Sequence, residues 1–209
     1  MKIVVIPVTP YQQNCSLVIC ETTKKAAIVD PGGEIERILT AVKNHQVSVD
    51  KIILTHGHLD HVGGTEALAE NLSVPIIGPE KEDAFWLEQL EAQSTMFGFP
   101  NASSFLPTQW LEEGDDVAVG NIKLKVLHIP GHTPGHVALF DEISKQIIVG
   151  DILFNGAIGR SDFPRGNHAQ LISGIKQKLL TLPDETVVFP GHGPTTTIGR
   201  EKISNPYLR

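Results

Sequence analysis

Residues 56–61 read His-Gly-His-Leu-Asp-His, three histidines and an aspartate within six positions. They follow directly on Lys51-Ile52-Ile53-Leu54-Thr55, a short apolar run of the kind that forms a buried strand. A strand ending in such a loop delivers His56, His58, Asp60 and His61 to one place, where several side chains can turn toward a common point. Neutral imidazole nitrogen and carboxylate oxygen are donors that suit zinc and its borderline neighbours. The loop therefore reads as a metal site. Solvated loop histidines are the plain alternative, but nine histidines spread over 209 residues would seldom cluster in this way.

The same pattern returns three times. The apolar stretch 122–129 runs into Pro130-Gly131-His132-Thr133-Pro134-Gly135-His136, 147–150 into Asp151, and 186–189 into Pro190-Gly191-His192-Gly193. Four apolar strands that each end in a potential ligand are how a sheet presents one shared site, and core packing alone does not ask for it. The remaining segments supply the scaffold. Residues 2–8, 15–20 and 24–30 predict consecutive antiparallel strands, closed by the turn Asp30-Pro31-Gly32-Gly33. Helical spacing predicts a helix from Glu34 to His45 with Ile35, Ile38, Leu39 and Val42 on one face, and another over 65–71. Val74 to Ile77 predicts a strand, and Lys81 to Met96 a long scaffold helix whose Phe85, Trp86 and Leu90 pack in the core. Residues 116–119 and 122–129 predict a hairpin turning at Gly120-Asn121, and 166–180 contains a helix with Leu171, Ile175 and Leu179 on one face. Residues 97–110, rich in Pro, Ser and Asn and carrying Phe97, Phe99, Phe105 and Trp110, suit either an ordered loop over a pocket or plain surface packing.

Composition narrows the partners. With 41% apolar residues the chain can bury a sizeable core, and the expected organisation is one domain over residues 1–209. A formal net charge of −7 without a Lys/Arg cluster argues against nucleic acid or an anionic membrane surface and for a small-molecule substrate. No apolar stretch reaches spanning length and the N-terminal run is too short for a signal peptide, so a cytoplasmic protein is expected. Cys15 and Cys20, on one extended strand, would lie about 16 Å apart on opposite faces and are expected as reduced thiols. No apolar stripe in the sequence fixes an oligomeric state.

Together, His56-Gly57-His58-Leu59-Asp60-His61, Gly131-His132-Thr133-Pro134-Gly135-His136, Gly150-Asp151 and Gly191-His192-Gly193 resemble the metallo-β-lactamase superfamily in order and separation. Within it the chain is most similar to the short bacterial glyoxalase II-like hydrolases, particularly in Gly159-Arg160-Ser161-Asp162-Phe163-Pro164-Arg165-Gly166. The resemblance implies an α/β fold of four layers, an αββα sandwich with two mixed sheets face to face and the metals at one edge. It implies that His56, His58 and His132 hold one divalent ion and Asp60, His61 and His192 a second, with Asp151 bridging. Zinc (Zn2+) is the first expectation, and iron or manganese suits the same donors. Two such ions against two carboxylates and a bridging hydroxide leave about one net positive charge for an oxyanion, and water held between them ionises near neutral pH.

The activity implied is thioester hydrolysis, with S-D-lactoylglutathione giving glutathione and D-lactate. Asp60 would be the catalytic residue that both ligates and orients the hydroxide. A thiol ionising at about pH 8.5 leaves as thiolate without a strong acid. His136 is read as supporting the ligands from behind, Arg160 as meeting an anionic part of the substrate, and Phe163 as packing beside it. Two-domain glyoxalase II proteins carry a C-terminal helical region that makes much of the glutathione contact. No such separate domain is expected here, so the grip on substrate should differ. Two rival readings stand beside the hydrolase. His56, His132 and Asp151 could form a mononuclear iron site like that of the related persulfide dioxygenases, whose Gly-Arg-Thr-Asp-Phe loop is similar to residues 159–163. A metal-stabilised scaffold without turnover is the other, although structural zinc sites are usually closed cages rather than open shared ones.

Overall fold

Alternation along the apolar strands decides how the layers stack. The computed structural model describes residues 1–100 and 102–209. In the first sheet, β1 (Lys2–Val8), β2 (Gln13–Ile19) and β3 (Lys25–Val29) pair antiparallel in sequence order. Helix α1 (Ile35–His45) crosses over to β4 (Ser48–Ile53), which adds parallel to β3. After β4 come a single turn, α2 (Leu59–Val62), and α3 (Thr65–Leu72), leading to the two-residue strand β5 (Ile76–Ile77) at the sheet edge. Helices α4 (Ala84–Leu87) and α5 (Leu90–Phe97) follow.

The second sheet begins with the hairpin β6 (Asp116–Val119) and β7 (Ile122–His128), then β8 (Val137–Asp141) and β9 (Gln146–Gly150), all antiparallel neighbours. A small ribbon of β10 (Leu153–Phe154) and β11 (Ala157–Ile158) leads to α6 (His168–Gly174), which widens into a π turn over Ile175–Leu179. Strand β12 (Val187–Pro190) joins β9 in parallel, β13 (Thr196–Thr197) closes the edge, and α7 (Ile198–Ser204) ends the sequence of elements.

Three cores result. Leu17, Ile19, Ala26, Ile28 and Ile52 face outward from the first sheet and pack with Ile38 of α1 and Leu68 of α3. Their neighbours Val18, Ala27, Val29 and Ile53 face the other way, meeting Val117, Val119, Leu124, Val126, Leu139 and Ile148 of the second sheet. Ala138, Phe140, Ile147 and Val149 turn outward again, under Leu171, Ile175, Leu179 and Ile198. Period-two side-chain alternation on two stacked sheets, with a helix layer outside each, is the αββα sandwich. Each fully buried Leu, Ile or Val contributes about 1.5–3 kcal/mol relative to exposure, so these faces outweigh the weak propensity of strands only two residues long.

The structure departs from the sequence expectation in several places. The long helix over 81–96 is broken into a single 3-10 turn at Lys81–Asp83, α4 and α5. Two contacts explain the break. The Asp83 carboxylate is buried among donors from other segments, and the Gln93 side chain donates to the Trp86 carbonyl at 2.8 Å, satisfying an end that a continuous helix would have satisfied itself. The 51–55 strand begins at Ser48 and ends at Ile53, and β8, β10, β11, β13 and α7 were not anticipated. Of the 97–110 stretch, Phe105 and Trp110 pack against the outer core and Phe99 reaches both core and cavity; Asn101 lies outside the described residues. Cys15 and Cys20 are both free, as expected. Among the described residues no helix is long and apolar enough to cross a membrane.

Candidate metal centre

Strands β7, β9 and β12 run in one direction, so His132, Asp151 and His192 emerge at the same edge of the second sheet. Strand β4 brings the 56–61 loop to that edge from the first sheet. The two sheets are tied together there by Asn14 of β2, whose N–H donates to the Gly191 carbonyl at 2.7 Å and whose side-chain amide donates to the carbonyls of Pro190 and Gly193.

The expected ligands gather in two groups. Donor atoms of His56, His58 and His132 lie within 4.8 Å of one another, and so do those of Asp60, His61 and His192. His132 Nε2 is 3.0 Å from His58 Nδ1, and His192 Nε2 is 3.2 Å from Asp60 Oδ2. Asp151 stands between the groups, with Oδ1 3.3 Å from His61 Nε2 and Oδ2 3.7 Å from both His132 Nε2 and His192 Nε2. Nitrogen ligands of a tetrahedral zinc ion are about 3.3 Å apart, close to these separations. His56 Nε2, His61 Nε2 and Asp151 Oδ1 are buried without a hydrogen-bond partner. Buried polar atoms nearly always find a partner, so several orphans on converging side chains fit a cation. The donor set passes that test for a divalent metal.

Residues behind the donors aim them. Asp30 accepts from Thr55 N–H at 2.7 Å, from the Thr55 hydroxyl at 2.6 Å and from His61 Nδ1–H at 2.9 Å, which turns His61 Nε2 toward the site. His136 belongs to neither donor group. Its ring stacks on His56 at 4.4 Å, its Nδ1–H donates to the Val137 carbonyl, and its Nε2 accepts from the Asp151 backbone N–H at 3.0 Å. Asp83 accepts from Gly57 N–H, Gly135 N–H and the Thr133 hydroxyl, binding the 56–61 loop to the 131–136 loop. Burial holds the imidazoles of His56, His132 and His136 below their ordinary value and pushes His58 down to about 3. Burial pushes the Asp60 and Asp151 carboxyls up, but the adjacent imidazoles, His61 foremost, outweigh it and hold both below the ordinary carboxylate range. His61 and His192 are pulled down by burial yet raised overall by the carboxylates beside them. For the two carboxylates and for His56, His58 and His132 these directions favour the forms that offer lone pairs, whereas His61 and His192 would give up a proton on taking a metal.

A cavity of about 580 Å³ opens over the donors, and Tyr11, Trp86, Phe97, Phe99, Phe154 and Phe163 form much of its wall. Trp86 corrects the expectation of a purely structural residue: it lines this cavity, with its ring 4.6 Å from that of His58. The long-helix reading missed this because α4 is anchored by contacts distant in sequence. Arg160 and Phe163 also line the cavity, but the Arg160 guanidinium is held by Asp162 through two bonds of 2.8 and 2.9 Å, while its carbonyl accepts from His132 Nδ1–H at 2.7 Å. Asp30, Asp83 and Asn14 were not singled out from sequence. Asp30 carried a readable signal, since it too is a carboxylate at the end of an apolar strand; Asp83 and Asn14 carried none.

An αββα sandwich with a two-part His/Asp donor cluster at its strand-end edge defines a class of protein, the enzymes that build a metal centre between two sheets. This chain belongs to the metallo-beta-lactamase superfamily, which it matches over residues 8–192. It is 47% identical over 209 residues to the hydroxyacylglutathione hydrolase GloC of Haemophilus influenzae, covering 100% of this chain and 98% of that one. Among solved structures it resembles the BLEG-1 B3 metallo-beta-lactamase, with a TM-score of 0.91 and 35% identity over 99% of both chains. It also resembles TTHA1623 in a di-iron-bound form, with a TM-score of 0.89 and 38% identity over 98% of this chain and 100% of that one.

Proposed function

We propose that the chain is a metal-dependent thioester hydrolase of the cytoplasm, acting as a hydroxyacylglutathione hydrolase on S-D-lactoylglutathione and related thioesters. The observation that carries this reading is the juxtaposition of two donor groups, joined at Asp151, with a cavity large enough for such a substrate. The name of the Haemophilus influenzae relative supports the substrate class. His56, His58 and His132 would hold one divalent ion and Asp60, His61 and His192 the other, with Asp151 touching both. Zinc suits these donors, and a di-iron-bound neighbour keeps iron beside it. When bound, the metals supply a water acidified to a nucleophile and positive charge opposite a developing oxyanion.

The chain's own residues arrange the rest. Asp60, beside His192, orients the attacking water as a hydrogen-bond acceptor. Trp86 and Phe163 shield the reacting carbonyl from bulk water on one flank. Water adds its oxygen to the acyl carbon, the C–S bond breaks, and the products are a carboxylic acid and a thiol. The thiolate leaves unaided because thiols ionise at about pH 8.5.

The test is thiol release from S-D-lactoylglutathione by metal-loaded protein. Efficient release is expected, with Asp60→Ala lowering kcat/KM by about a hundredfold or more, since even residues behind metal ligands are worth 10–100-fold. One iron per chain with oxygen uptake on a glutathione persulfide, and no thiol release, would replace this reading with the dioxygenase centred on His56, His132 and Asp151.

A further inference from the structure

The cavity over the donors is walled by rings at two depths. Trp86 and Phe163 stand against the donors themselves, each with its ring centroid 4.6 Å from that of His58. Farther out, Tyr11 stacks on Phe99 at 5.4 Å and an interplanar angle of 26°, and Phe97 extends the same wall. Tyr11 and Phe97 remain 56% and 58% exposed, which core packing does not require of aromatic side chains. Charge is sparse by comparison. Among the described lining residues the only Lys or Arg is Arg160, already committed to Asp162 and lying 4.7 Å over the Phe163 ring. The floor is made of the expected metal donors themselves, His58, Asp60, His132, Asp151 and His192.

Such a wall does little for the two carboxylates and the ammonium of a glutathione half, because charged groups gain nothing from leaving water for hydrocarbon. It does a great deal for an apolar group held next to the scissile carbonyl. That carbonyl must reach the donors, and of the two groups attached to it the uncharged acyl substituent, rather than the charged thiol half, suits the inner rings and the outer pair beyond them. We infer that this site selects thioesters by a bulky apolar acyl group, aryl or extended alkyl, packed between Trp86, Phe163 and the Tyr11–Phe99 pair. The inference rests on the thioester hydrolase reading above and adds the acyl class to it.

Two esters that share one thiol isolate the acyl term. In S-D-mandeloylglutathione a phenyl group replaces the methyl of S-D-lactoylglutathione on the same hydroxyacyl carbon. Metal-loaded full-length protein should hydrolyse the mandeloyl ester with a kcat/KM at least about tenfold higher, the scale at which apolar pockets and aromatic pairs discriminate. Phe99→Ala should reduce that ratio several-fold. Tyr11→Ala, at a more exposed side chain, should do the same and covers a failure of Phe99→Ala to fold. Equal efficiency on both esters, or a preference for lactoyl, overturns the inference and leaves the hydrolase standing. A high ratio that neither variant moves overturns the assignment to this wall. Release of thiol from neither ester removes the hydrolase reading, and the inference with it.

Discussion

Asp83 is a carboxylate with three donors and almost no water, and its protonation decides what those donors are worth. Burial pushes it up to about 7 in spite of Gly57, Gly135 and Thr133, whereas in an unfolded chain it would ionise near 3.9. Between those values the folded state keeps a proton that the unfolded state has released. The associated stability is fully present below about pH 4 and is lost as pH rises toward 7. Asp83→Asn cannot ionise. In metal-chelated protein, the stability advantage of the native residue over Asn should therefore shrink across pH 4–7, by on the order of a few kcal/mol, and level off above. Urea unfolding of both proteins at several pH values measures it; a difference that stays constant would mean that the three donors keep Asp83 ionised throughout. The expected metal donors differ from Asp83 in how they lie along the chain. His56, His58, Asp60 and His61 are legible because they are contiguous, whereas Asp30 and Asp83 act on groups 25 to 52 positions away, and no local window contains both partners.

At the level of elements, the strand ends carry the site and glycine lets them approach. A Cβ on Gly191 would lie 2.3 Å from Asp151 Oδ1 and 2.6 Å from His61 Cε1, so the β12 loop can pass the donors only without a side chain. Gly150 has φ 49°, and a Cβ there would lie 2.7 Å from His136 Cε1. Gly191→Ala should consequently lose metal while keeping its fold. Metal content per chain should drop with the far-UV circular dichroism unchanged, and a fully loaded variant would show that the loop can move aside. Strands, the first helix and the β6–β7 hairpin were legible because each announces itself in the apolar period of a few residues. The helix over 81–96 was not, since its break depends on Asp83 and on the Gln93 bond to Trp86. Strand β8 was also unread, although Val137-Ala138-Leu139-Phe140 is a buried apolar run of the same kind as Ile147-Ile148-Val149.

At the scale of the whole molecule, the donors are contributed by both sheets, so whatever binds them clamps the sandwich. A ligand that binds only the folded state at 100 times its Kd stabilises it by about 2.7 kcal/mol, which for a chain of this size corresponds to about 5–10 °C in Tm. Chelation should lower Tm by about that amount, and Zn2+ or Fe2+ should restore it in the native protein but not in Asp151→Ala; a Tm indifferent to chelator would sink the metal centre. The sequence by itself determined the donor types, their spacing and most of the apolar runs that become strands, because each is a property of neighbours along the chain. Only the tertiary structure decided which carboxylates stand behind the donors, that Trp86 turns to the cavity, and that Arg160 is held by Asp162. These outcomes depend on close approach between segments far apart in sequence, whose energies exist only once the layers have packed.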